Sequence, residues 1–179
     1  MYGIVRNVGS GSCLFYAIAQ GIIHRKNIDD TYVCIGNDLR KIAVATMEKR
    51  SKKNSDYRML LSVSYINDVL QDSSTEADYS SNYLNWMSKK TSWAGDFEIK
   101  ALEKYIHSLN ISGVRIYYAD VVNGGQQYLH PINGFGTKML KKKYPPIKLI
   151  LHDASSGGIH FEYIFKIKKP VMKKTKKPS

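Results

Sequence analysis

Cysteine is scarce here: Cys13 and Cys34 are the only two in 179 residues. Two thiols cannot build the disulfide framework of a small secreted domain, so both read as free cysteines of a reducing compartment. No run approaches 18 continuous apolar residues, which excludes a readable membrane-spanning helix. The opening MYGIVRNVGSGS has no apolar core followed by a cleavage site, so no secretory signal is expected. No Cys or His pairs stand at zinc-ligand spacing, and neither a metal nor another cofactor is expected. Acidic residues are also few, 15 against 27 basic ones, and the net charge is +12. The excess is uneven. The last stretch, KIKKPVMKKTKKPS, holds seven lysines and no acid, and removing those seven from +12 leaves +5 for residues 1–165. We read 1–165 as one domain and 166–179 as a solvated Lys/Pro-rich tail or linker. Binding to nucleic acid, or to another acidic surface, is expected only through that tail.

What is present is a soluble-type composition, 43% apolar and 23% charged, with enough chain for a real core. Cys13 to about Ile23 has no breaker before Gly21 and predicts a buried helix. Asn37 or Asp38 is the expected cap of a second helix over LRKIAVATMEKR. Tyr57 to Leu70 predicts a helix, either regular or with an irregular middle, and DYSSNYLNWMSKK predicts another. FEIKALEKYIHSL carries an amphipathic stripe of Phe97, Ala101, Leu102, Tyr105, Ile106 and Leu109. From Gly113 the pattern becomes that of strands. VRIYYADVV and QQYLHPI flank the turn signal NGG, and IKLILHD and IHFEYIFKI follow, the last alternating between two faces. Helices first and a mostly antiparallel sheet second make an α+β class with no internal repeat.

One short stretch carries chemistry: GSGSCLFYAIAQG, residues 9–21. A cysteine where a Gly/Ser loop enters a helix meets backbone amides and a positive helix end, which favour a thiolate and so predict a depressed pKa. Nucleophilic catalysis also needs a base and donors for an oxyanion. The backbone N–H groups of Gly11, Ser12 and Cys13, next to Ser10, are the expected donors. Of the five histidines, His24 ends the first helix three turns from Cys13, and His107 and His130 read as ordinary. His152 ends one strand and His160 begins the next. His160 is the best base, because Glu162, two residues along the strand, points to the same face and can orient its imidazole. Cys34 begins the C-x5-R spacing of phosphatases, but its loop lacks the small residues that cradle phosphate. A buried structural cysteine is the expectation there.

Three blocks in order then resemble the ovarian tumour (OTU) family of cysteine proteases, most of which are deubiquitinases. GSGSCLFYAIAQG is similar to the family's D-G-N-C-[LF]-[FY]-x-[AS]-I block. SNYLNWMSKKTSWAGDFEIKALEKYI resembles its Y-x-x-x-M…W-G-G-x-x-E-[IL]-x-A-[LM] block, with LRKIAV at the intervening L-R segment. GGIHFEYI resembles the terminal H-[YFW]-[DNE] block. The resemblance implies a papain-like fold, with a central mostly antiparallel sheet packed between helices. It implies Cys13 as nucleophile, His160 as general base and then acid, and Glu162 as the orienting residue. Trp93, Gly95 and Glu98 match the middle block, with Trp93 expected in the core or the cleft wall. Gly157 and Gly158, with Ser155 and Ser156, are expected to line a narrow channel for a Gly-Gly terminus. The family's aspartate three residues before the cysteine is Ser10 here, its asparagine is Ser12, and Ala94 replaces the first glycine of W-G-G.

The implied activity is hydrolysis of the isopeptide bond after the C-terminal Gly-Gly of ubiquitin through a Cys thioester, by a monomer in the cytoplasm. Polyubiquitin belongs to the same substrate class, and a protease for a ubiquitin-like modifier is an alternative. A composition rich in Lys, Asn, Ser, Ile and Tyr fits an AT-rich virus or intracellular bacterium, so host cytosol is the expected setting. The alternatives are a polyprotein-processing relative and a degenerate module that only binds ubiquitin or RNA.

Overall fold

The computed structural model describes residues 2–8, 10–70, 78–122, 126–152 and 160–167. Its chain order is β1 (Tyr2–Val5), α1 (Cys13–Lys26), α2 (Tyr32–Ser51), α3 (Ser55–Tyr65) with a π-helical turn (Ile66–Leu70), α4 (Ser80–Ser88), α5 (Asp96–Ala101), α6 (Glu103–Ser108), β2 (Val114–Val122), β3 (Gln126–Gly136), β4 (Ile147–His152) and β5 (His160–Lys166).

Every residue of α1 from Cys13 to Ile22 is buried. A helix apolar on all sides has to be enclosed, and α1 is the central rod of the core. Gly21 does not break it. A Cβ there would run into Ile147 of β4, so the glycine lets the helix lie close to the sheet. The helix ends where Asn27 takes left-handed angles (φ 52).

Helix α2 begins earlier than expected. Thr31, not Asn37 or Asp38, is its cap, and the Thr31 side chain accepts from the Cys34 N–H at 3.3 Å. Asn37 and Asp38 are helical residues within it. The irregular middle allowed for in Tyr57–Leu70 is the switch from α3 to the π-helical turn at Ile66. Asp78 starts α4 by accepting from the Ser80 N–H at 2.9 Å and from the Ser62 hydroxyl at 3.1 Å. The amphipathic stripe of residues 97–109 is split into α5 and α6 at Leu102.

The five strands form one sheet in the order β1-β5-β4-β2-β3. All neighbours are antiparallel except β2 and β4, which run parallel. The NGG turn between β2 and β3 lies outside the described residues. Alternation sorts the strands cleanly. Val114, Ile116, Ile147, Leu149, Phe161 and Tyr163 join α1 and the other helices in the main core. Tyr117, Ile150 and Ile164 form a small cluster on the opposite face, with Ala119 and Leu129 against it. Strand β1 was not expected from the sequence, since four residues of YGIV carry too short a pattern. Its pairing on β5 runs from Tyr2↔Lys166 to Val5↔Tyr163.

Candidate active site

The loop before α1 is held from two sides. Gly11 packs against the backbone of Thr91 and Ser92, where a Cβ would sit inside van der Waals contact of the Thr91 carbonyl. Only glycine permits that approach. On the other side lies Arg40 of α2, which is buried. Its guanidinium donates to the carbonyls of Met87 (2.7 Å), Gly11 (2.8 Å) and Ser92 (3.0 Å), and to the Ser12 hydroxyl (3.2 Å). It also lies 4.6 Å from the centre of the Phe15 ring. Ser12 in turn donates to the Lys90 carbonyl at 2.9 Å. One planar cation thus ties together the nucleophile loop, the end of α4 and the turn that carries Trp93.

Ser10 takes up two of the amides expected to face an oxyanion. Its hydroxyl accepts from the Ser12 N–H at 3.3 Å and its carbonyl from the Cys13 N–H at 2.9 Å. In this form the loop satisfies itself. A bound carbonyl oxygen has to compete with Ser10 for those donors.

Cys13 is the first residue of α1 and is 1% exposed. Burial pushes its thiol above the ordinary range. The backbone N–H groups of Phe161, Leu14 and Cys13 and the charge of Arg40 pull the other way without prevailing. The depressed pKa expected from a loop-to-helix junction is therefore overturned. The helix end and its amides are there, but the cost of an anion in a dry site is larger.

The Phe161 contact fixes where Cys13 lies. Strand β1 stops pairing at Val5↔Tyr163, so the start of β5 extends beyond its neighbour. There the Asn7 side-chain amide donates to the Phe161 carbonyl at 2.9 Å and to the Cys13 carbonyl at 3.5 Å. Asn7 thus ties the first residue of α1 to β5, one residue from His160.

His160 is partly buried, and its Nδ1 has no hydrogen-bond partner among the described residues. Its Nε2 faces Glu162 Oε1 at 3.6 Å, beyond hydrogen-bond length. The closer partner of Glu162 is His152, whose Nε2 lies 2.8 Å from Oε2. His152 and His160 are direct cross-strand neighbours, and their rings stack at 6.1 Å. The sequence paired Glu162 with His160 alone; the fold makes it a carboxylate shared by two imidazoles.

The other expected residues divide. Trp93 is 43% exposed, so it belongs to the surface beside the loop and not to the core. Glu98 is buried, accepting from the Gly95 N–H at 2.7 Å and the Tyr83 hydroxyl at 2.8 Å, and burial raises its pKa against those donors. Ser155, Ser156, Gly157 and Gly158 lie outside the described residues. Cys34 is exposed on the first turn of α2, not buried as expected, because α2 starts at Tyr32 and turns this position outward. His24 bonds the Tyr163 hydroxyl at 2.6 Å, far from any catalytic role. No cluster of His, Cys, Asp or Glu suited to a metal occurs among the described residues.

A family model described as "OTU-like cysteine protease" matches residues 8–118. The chain is an OTU-like cysteine protease. The matched span includes Cys13, Arg40, Trp93 and Glu98 and stops before β4 and β5, so the histidine strand is reached through the fold. The OTU fold itself recurs in solved structures. The viral OTU domain protease from Farallon virus is similar with a TM-score of 0.58 at 15% identity, covering 93% of this chain and 85% of that one. An OTU deubiquitinase from Wolbachia pipientis wMel, solved bound to ubiquitin, gives 0.53 at 16% identity over 92% and 95%. The Hazara virus OTU bound to ubiquitin gives 0.50 at 18% identity over 94% and 83%. No curated protein sequence matches the chain. Within this OTU domain, sequence reasoning missed Asn7, gave His152 no role, and weighed Arg40 only within LRKIAV and the C-x5-R spacing. An arginine set among apolar helix positions was the one available signal.

Proposed function

We propose that this OTU-like protease is a deubiquitinase, with Cys13 as nucleophile, His160 as general base and acid, and Glu162 as the carboxylate behind it. The observation that carries the reading is the Asn7 side-chain amide, which joins the Cys13 and Phe161 carbonyls and so sets the nucleophile beside β5, one residue from an imidazole backed by a buried carboxylate. The ubiquitin complexes of the Wolbachia and Hazara virus domains support ubiquitin as the modifier.

His160 takes the Cys13 proton as sulfur bonds to the carbonyl carbon of the terminal glycine. The tetrahedral oxyanion draws the loop amides away from Ser10. The imidazolium then gives its proton to the departing lysine amine, leaving a thioester. Water attacks that thioester, His160 again relays the proton, and a free carboxylate and the thiol result. Because the resting thiol is buried and protonated, proton transfer is tied to substrate entry, and an idle enzyme exposes little thiolate. Two cysteines outside any disulfide fit a reducing, cytosolic setting.

The test is a ubiquitin probe with a C-terminal electrophile, followed by a diubiquitin panel. Covalent capture at Cys13, absent in Cys13→Ala and His160→Ala, is the expected result. Reversible ubiquitin binding indifferent to Cys13→Ala, with no chain cleaved, would overturn it.

A further inference from the structure

The carboxylate behind His160 has a second anchor that the three-residue reading does not use. Glu162 lies on β5 and His152 on β4. Their strands pair so that His152 is opposite His160 and Ile150 is opposite Glu162, which puts Glu162 two residues along the strand from His160 and diagonally across from His152, on one face of the sheet. Glu162 is 7% exposed. Its Oε2 is in full hydrogen-bond contact with His152 at 2.8 Å, whereas its Oε1 stands 3.6 Å from His160. The rest of that face is apolar nearby: Ile150, Ile164 and Ala119 lie around the group.

We infer that His152 is a positioning residue of this site, donating its Nε2–H to Glu162 Oε2 so that Oε1 is held facing His160. The inference deepens the deubiquitinase reading and rests on it for its kinetic test. Its physical basis is the length of the side chain. A glutamate has one more rotatable bond than an aspartate, so a single distant contact leaves its carboxylate free to turn. A donor on Oε2 removes that freedom. It also meets a buried negative charge that His160, at 3.6 Å, meets only weakly while neutral. When His160 accepts the Cys13 proton, Oε1 needs to close only a short gap to stabilise the imidazolium. His152 acts through Glu162 and touches no reacting atom.

Two measurements test this on the full chain. The first is steady-state hydrolysis of a fluorogenic amide on the ubiquitin C-terminus. His152→Ala is expected to lower kcat about tenfold or more with KM unchanged, since a misaimed carboxylate affects the transition state and not ubiquitin docking. His152→Gln, which keeps an N–H at nearly the Nε2 position, is expected to recover most of the loss. In a Glu162→Ala background the same His152→Ala change should have no further effect. An unchanged kcat in His152→Ala, or losses that multiply in the double variant, would overturn the assignment.

The second measurement needs no turnover. Nitrogen-15 imidazole spectra should show His152 with its proton on Nε2, and Glu162→Ala should change the His152 signals. A His152 carrying its proton on Nδ1, or one blind to Glu162, would also sink the proposal. A chain that cleaves no ubiquitin substrate but shows the coupled His152 signals would refute the deubiquitinase reading and leave the contact standing.

Discussion

Arg40 carries a charge into the core with no carboxylate in direct contact among the described residues; its bonds go to three carbonyls, a hydroxyl and the Met87 sulfur. Burial pulls its pKa down, and the nearby Glu98 opposes that. Removing such a group strands its acceptors. Arg40→Met is expected to cost about 3–5 kcal/mol, read from chemical denaturation, and to abolish capture by the ubiquitin probe. Arg40→Lys should recover little, because an ammonium cannot span the planar set of acceptors. The two cysteines make the opposite contrast. Cys34 is exposed and Cys13 buried with a raised pKa. Mass spectrometry after brief iodoacetamide treatment at neutral pH should find Cys34 alkylated first. Labelling of Cys13 should climb only above the usual thiol range, where its thiolate at last forms. The sign for stability follows. Between the unfolded and the raised folded pKa only the unfolded chain ionises, so Cys13 lowers stability as pH rises through that window. Cys13→Ala should flatten the fall.

The loop of residues 10–12 is shaped by what passes beside it. Its own residues, Ser and Gly, are flexible enough for many conformations. The Thr91–Ser92 backbone on one side and Arg40 on the other select one. Gly11→Ala places a methyl against the Thr91 carbonyl, and over-packing of this kind costs about 1–3 kcal/mol. Thermal unfolding should register the loss, and probe capture should fall further than stability does, since the shift lands on the oxyanion donors. Strand β5 shows a similar dependence on its neighbours. Its alternation was legible from the sequence, and it does send Phe161 and Tyr163 to the core and Glu162 to the other face. What alternation could not supply was the partner across the ladder. The His152↔His160 register emerges only when β4 and β5 pair.

The charge of the whole chain is carried largely by its C-terminal lysines, six of which fall in residues 168–179, outside the described residues. If the folded domain holds the chemistry, removing 168–179 should leave the melting temperature and the rate of probe capture unchanged. Any salt-sensitive retention on RNA should vanish with the tail. A loss of activity on truncation would mean that the tail belongs to the enzyme. The helices and the sheet meet in one main core around α1, and the site lies where that helix begins, beside the start of β5, past the end of β1.

From local pattern alone came the helix that begins at Cys13, the strand that sets His160 and Glu162 on one face, and the run of helices before strands β2 to β5, though not the opening strand β1. Those features depend on residues a few positions apart, which period and capping chemistry encode directly. The assembled chain decided the rest. Burial, not the helix end, sets the state of the Cys13 thiol. Asn7 finds Phe161 across the fold, Arg40 reaches carbonyls on three other segments, and His152 takes the closer side of Glu162. Desolvation and cross-strand register are properties of what surrounds a residue, and in this chain those surroundings come from segments tens of positions away.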